Sequence, residues 1–156
     1  MPNKINIVVE ERYTTYMLEY GNSYVYINNQ GYILEISEQK LQVPIIIGTV
    51  TKEDELVAGK RLCQEDLEKL EVVLKIMESA NSNGIGETIT KIDISNSQNY
   101  RLILEGEEKI VHLGDATDIS DRMIMLKAIL EKEKGNAGEI LQDVSDKTKY
   151  IFRENV

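Results

Sequence analysis

One cysteine, one histidine and two prolines are spread over 156 residues, and each shortage excludes something. A lone thiol cannot close an internal disulfide. Cys63 stands just ahead of an acidic helical pattern, where neighbouring carboxylates disfavour a thiolate, so it reads as a small packing residue and not as a nucleophile. His112, between Val111 and Leu113, has no second histidine or paired cysteine with which to hold a metal, and reads as a structural or surface histidine. No apolar run approaches the ~20 residues that cross a bilayer, and no basic-plus-apolar leader is present. A chain that starts beyond a membrane anchor would read the same way. Positive charge is also short: 18 Lys and Arg against 27 Asp and Glu leave a net charge of −9. Such a chain gains little from phosphate contacts or anionic lipid, which argues against nucleic-acid and membrane-surface binding.

Catalytic signatures are missing as well. There is no GxSxG, P-loop, HExxH or CxxC. Gly84-Ile85-Gly86 lies between a helix and a strand, the reverse of the order that aims amides at a phosphate. Asp115, Asp118 and Asp121 are spaced by three but lack the alternating oxygen ligands, central glycine and terminal glutamate of a calcium loop. Acidic residues opening a helix account for them. The sequence calls for no cofactor and no metal.

What is present is alternation. Ile5, Ile7 and Val9 mark a strand, and Tyr13–Tyr20 a second extended run ending at the Gly21-Asn22 turn. Val25 and Ile27 face opposite to Tyr24 and Tyr26, and Tyr32, Leu34 and Ile36 share a face. Asn28-Asn29-Gln30-Gly31 joins the two runs as a tight turn. Val43–Ile47 is a short buried run, with Pro44 placing it at an edge or a strand start. Leu67, Leu70, Val73, Leu74 and Met77 form a helical stripe that ends near Asn83-Gly84. Strands follow over Thr88–Ile94, Tyr100–Leu104 and Lys109–Leu113. A second helix spans Ile119 to about Lys134, with Thr117 or Asp118 as its cap and Gly135 as its stop. Glu139–Val144 and Lys149–Arg153 close the chain. Short turns between most strands favour an α+β fold, a mostly antiparallel sheet with two amphipathic helices.

Two features bear on binding. Six of the eight tyrosines fall between Tyr13 and Tyr32. They are either an exposed contact surface or cross-strand packing. The final strand, Lys149-Tyr150-Ile151-Phe152-Arg153, sets Tyr150 and Phe152 on one face and Ile151 and Arg153 on the other. As a terminal strand it is the candidate edge for accepting a partner strand through main-chain hydrogen bonds. Deletion after Thr148 is then expected to abolish partner binding and leave a folded remainder, and a proline at Ile151 is the gentler probe of the same edge.

Taken in order, these segments resemble the FtsQ/DivIB cell-division family, in its clostridial-type form. Pro2–Arg12 resembles the closing strand of the family's POTRA module, with Thr14-Thr15 where a proline is common. Tyr24–Ile36 resembles its Tyr-Val-Asp-x-x-Gly hairpin, with Asn28 in place of Asp. Val43-Pro44-Ile45-Ile46-Ile47-Gly48 resembles its Leu-Pro-x-Ile-x-Gly segment. Ile92-Asp93-Ile94, Leu102-Ile103-Leu104 and His112-Leu113-Gly114-Asp115 follow in the family's order. The resemblance implies that 1–12 close a truncated POTRA module and 13–156 form the β domain. It implies a noncatalytic divisome scaffold, outside the cytoplasm on a single-pass membrane anchor at the septum. The partners implied are FtsL and a DivIC/FtsB-type protein, the latter adding a strand at Lys149–Arg153. The competing expectation is an envelope enzyme or sensor acting on cell-wall components, which requires a deep pocket with convergent polar groups. A fragment of an outer-membrane POTRA transporter fails for want of barrel strands.

Overall fold

The structure, a computed structural model, describes residues 13–155. The strand expected over Ile5–Val9, and with it the POTRA assignment of 1–12, lies outside the described residues. In chain order the elements are β1 (Tyr16–Tyr20), β2 (Ser23–Ile27), β3 (Ile33–Ser37), β4 (Ile45–Ile47), α1 (Gln64–Ser82), β5 (Lys91–Asp93), β6 (Tyr100–Leu104), β7 (Lys109–Gly114), α2 (Ile119–Lys132), β8 (Gly138–Gln142) and β9 (Tyr150–Glu154). All the strands join one sheet, ordered β3-β2-β1-β4-β5-β6-β7-β8-β9.

The sheet is mostly antiparallel, and the exceptions follow from the helices. β4 and β5 run parallel because α1 carries the chain back between them, and α2 does the same between β7 and β8. β1 and β4 are also parallel, since β2 and β3 form a hairpin excursion between them. A strand–helix–strand unit requires this direction of return.

Alternation sorts the strand residues between two faces. Tyr16, Leu18, Val25, Ile27, Ile46, Ile92, Leu102, Leu104, Val111, Leu113 and Ile140 turn toward the helices and build the main core with Leu70, Val73, Ile76, Met123, Leu126 and Leu130. On the opposite face Met17, Tyr26 and Ile45 form a smaller cluster, roofed by Leu41 and Val43. The tyrosine-rich segment is therefore divided. Tyr16 and Tyr26 are buried, while Tyr13 and Tyr20 are exposed.

Turn chemistry sets the β2–β3 connection. Buried Asn28 accepts the backbone N–H groups of Gln30 and Tyr32 through Oδ1, at 3.0 and 2.9 Å. Gly31 follows at φ +80, and a Cβ there would come 2.4 Å from Leu67 Cδ2. Glycine is required both by backbone conformation and by the close pass of α1.

Asp66, in the first turn of α1, does not cap its own helix. Its buried carboxylate accepts from the backbone N–H of Val50 and Thr51, fastening the loop that leads from β4. Cys63 occupies the α1 cap position and donates its N–H to Thr51 Oγ1. Asp118 precedes α2 in the left-handed region, φ 50, without a side-chain cap bond. Asp115 pairs with Arg122 at 3.1 Å. Arg122, itself buried, also donates to the carbonyls of Leu113 and Asp115.

Candidate functional site

β9 ends the sheet, and among the described residues its one strand neighbour is β8. The register pairs Gln142 with Tyr150, Leu141 with Ile151, Ile140 with Phe152, Glu139 with Arg153 and Gly138 with Glu154. Just outside the ladder, Asp143 N–H donates to the Lys149 carbonyl at 2.8 Å and Asn155 N–H to the Ala137 carbonyl at 3.0 Å. Hydrogen-bonded pairs alternate along an antiparallel ladder. Ile151 and Arg153 therefore spend their backbone groups on β8. Those of Tyr150, Phe152 and Glu154 point away from the sheet, along the free edge.

The five residues expected at this edge do not act alike. Lys149 precedes the strand. Its N–H closes a turn onto the Asp146 carbonyl, and the strand itself runs from Tyr150 to Glu154. Tyr150 is buried, and its hydroxyl donates to the Leu113 carbonyl at 2.6 Å. Burial pushes the Tyr150 phenol up to about 12. Phe152 packs on the main core and leans over Gly138, where a Cβ would come 2.7 Å from the ring. Ile151 is 47% exposed on the opposite face. Arg153, on that same face, pairs with Glu139 at 2.6 Å.

Two expected probes change accordingly. Deletion after Thr148 removes Tyr150 and Phe152, which pack in and on the main core, so it is expected to cost stability as well as binding. Proline at Ile151 removes a hydrogen bond to β8, not one at the free edge.

The opposite edge is partly closed. Ile33 N–H donates to the Lys60 carbonyl and the Ile33 carbonyl accepts from Gly59, both at 2.8 Å. Arg61 adds a cation–π contact 5.3 Å from the Tyr32 ring centre. Covering an edge with a loop blunts it against further pairing.

Beside β9, the face turned away from the helices carries a cross-strand polar network. Arg101 on β6 donates to Asp93 on β5 at 3.0 and 2.6 Å. His112 on β7 meets Glu139 on β8 at 3.0 Å, and the other oxygen of Glu139 receives Arg153. Arg153 first, then His112, holds the Glu139 carboxyl below the usual carboxylate range. Burial works to raise Asp93, but hydrogen bonds from Ser95 and Arg101 outweigh it and leave its carboxyl lowered. Sequence reasoning missed this network. Its one signal was the run of polar residues at alternate strand positions, and the pairings depend on a register that a single strand does not encode.

A cleft of about 830 Å³ lies between Lys40–Pro44 and the end of α1 at Met77 and Asn81. Glu87 and Glu105 also line it. The groups with displaced titration, including Asp93, Asp115, Glu139 and Tyr150, lie elsewhere.

The family model described as "FtsQ/DivIB, C-terminal related" matches residues 17–139. The match covers β1 through the first residues of β8 and stops short of β9. No curated protein and no solved structure matches the chain.

Proposed function

Because the chain belongs to the FtsQ/DivIB, C-terminal related, cell-division family, we propose that it is a noncatalytic scaffold of the bacterial divisome whose β9 edge accepts an extended segment of a DivIC/FtsB-type partner, with FtsL in the same assembly. In this reading 13–156 are the β domain, presented outside the cytoplasm at the septum by a membrane anchor. No helix among the described residues is long and apolar enough to cross a membrane.

One observation carries the proposal: among the described residues β9 has a single strand neighbour, and its outward backbone groups sit on a strand that Tyr150 and Phe152 fix in the core. Strand addition then needs no unfolding and costs little ordering on the scaffold side. Main-chain bonds supply affinity, while Ile151 and Arg153 are the side chains placed to discriminate partners. The test is a pull-down of this chain with the extracytoplasmic part of a DivIC-type protein. Capture by the wild type and loss with Glu154→Pro are expected. Equal capture by a folded Glu154→Pro variant would contradict the docking mode.

A further inference from the structure

The network beside β9 has a direction set by Asn99. Asn99 Oδ1 accepts the Gly114 N–H at 3.2 Å, which leaves its Nδ2 facing His112 Nδ1 at 3.3 Å. An amide N–H₂ can only donate, so Nδ1 carries the lone pair and the neutral ring keeps its proton on Nε2. That proton is donated to Glu139 Oε1, and Glu139 Oε2 accepts from Arg153 on the edge strand. Glu139 is thus shared between a group that can gain a proton and a guanidinium whose side chain is 66% exposed.

The other charges around His112 are committed elsewhere. Arg101, directly across on β6, is bound by Asp93 of β5. Asp115, beyond the end of β7, is bound by Arg122, and Asp143, after β8, accepts from Ser145. The helices α1 and α2 pack on the other face of the sheet. An added proton goes to Nδ1, where the Asn99 amide must give way, a cost that is the same with and without a bound strand. The influence that a strand can change reaches the imidazole through Glu139, from whatever holds Arg153.

We propose that His112 makes strand addition at β9 proton-linked: a carboxylate of the added strand that engages Arg153, and a proton that binds His112, favour each other through Glu139. The inference rests on the strand-addition reading and adds the partner's chemistry to it. Arg153 has donors to spare beyond its bond to Glu139, and its planar fork suits a carboxylate. A carboxylate arriving there draws the guanidinium charge away from Glu139 and brings a negative charge of its own. Both effects favour the imidazolium. Coupling between sites is reciprocal, so a protonated His112 strengthens the hold on the strand. The expected gain is roughly fivefold, at the low end of such couplings because the network is partly exposed.

Two measurements on the full chain test this. The first follows the His112 ring by NMR through a pH titration in wild type, Glu139→Gln and Arg153→Gln. Glu139→Gln is expected to lower the His112 midpoint and Arg153→Gln to raise it. The second measures the Kd of the extracytoplasmic part of a DivIC-type protein at pH 6 and pH 8, for wild type, His112→Gln and Arg153→Gln. Tighter binding at pH 6 by wild type, lost in both variants, is expected. An unmoved His112 midpoint in Arg153→Gln would overturn the linkage. So would a pH dependence that His112→Gln retains, or wild-type binding that is equal at the two pH values. Absence of binding at either pH removes strand addition itself and the linkage with it, an outcome distinct from pH-independent binding.

Discussion

Lys109 is a costly residue to hold in the core. It is 1% exposed, and its ammonium has no hydrogen-bond partner among the described residues. A contact 6.0 Å from the Phe152 ring centre offsets only part of the desolvation. Lys109→Met keeps the stem and removes the charge. It is expected to stabilise the chain by about 1–2 kcal/mol, read as a melting temperature higher by roughly 3–8 °C. Gly31 argues in the other direction. Gly31→Ala must hold a positive φ and displace Leu67, so a loss of about 2–3 kcal/mol is expected in a urea melt. Asn28 shows why a family pattern can tolerate amide for acid at this turn. The two backbone N–H groups it receives need only an oxygen acceptor, which both side chains supply.

Among the elements, β9 separates fold from function most clearly. Tyr150 and Phe152 turn their side chains to the core, and they and Glu154 turn their backbone to the outer edge. Ile151 and Arg153 spend their backbone on β8 and turn their side chains to the other face. Two proline substitutions should therefore part company. Ile151→Pro breaks the ladder to β8 and is expected to cost about 3 kcal/mol or more in thermal stability. Glu154→Pro removes only an outward N–H at an exposed position. It is expected to leave stability within about 1 kcal/mol of wild type and to weaken partner binding tenfold or more. Much of this layout was legible in the sequence. The alternation of Val25 and Ile27 against Tyr24 and Tyr26, the stripe from Leu67 to Met77, and the turn at Asn28–Gly31 each carry a local period or a local turn requirement. What was not legible depends on long-range pairing. The parallel partnership of β1 with β4, the cover of β3 by Gly59–Arg61, and the Glu139 bridge between His112 and Arg153 join residues far apart in the chain. Which backbone groups of β9 face outward also follows only once β8 is known to be its partner. Lys149 fell outside the strand because the Asp146 turn captures its N–H.

For the whole molecule, pH is the informative variable. Asp93, Asp115 and Glu139 all have carboxyls held below their ordinary values by hydrogen bonds and by Arg or His partners. A group whose folded pKa lies below its unfolded value stabilises the fold above the unfolded pKa, near 4, and loses that stabilisation as pH falls through the folded value. Unfolding free energy is thus expected to drop as pH falls below about 4. Glu139→Gln should make the drop smaller, which denaturant melts at stepped pH would read. An equal drop in that variant would show that Glu139 is not held as described.

Across the sheet, a loop covers β3 at Ile33, helices fix one face, and among the described residues β9 is uncovered along its outer edge. That edge is where the sheet is proposed to grow. Amide exchange, followed residue by residue with and without the extracytoplasmic part of a DivIC-type partner, tests that most directly. The account predicts new protection at Tyr150, Phe152 and Glu154, with Ile151 and Arg153 little changed because β8 already holds them. Saturating partner that leaves those three amides exchanging as before would contradict it.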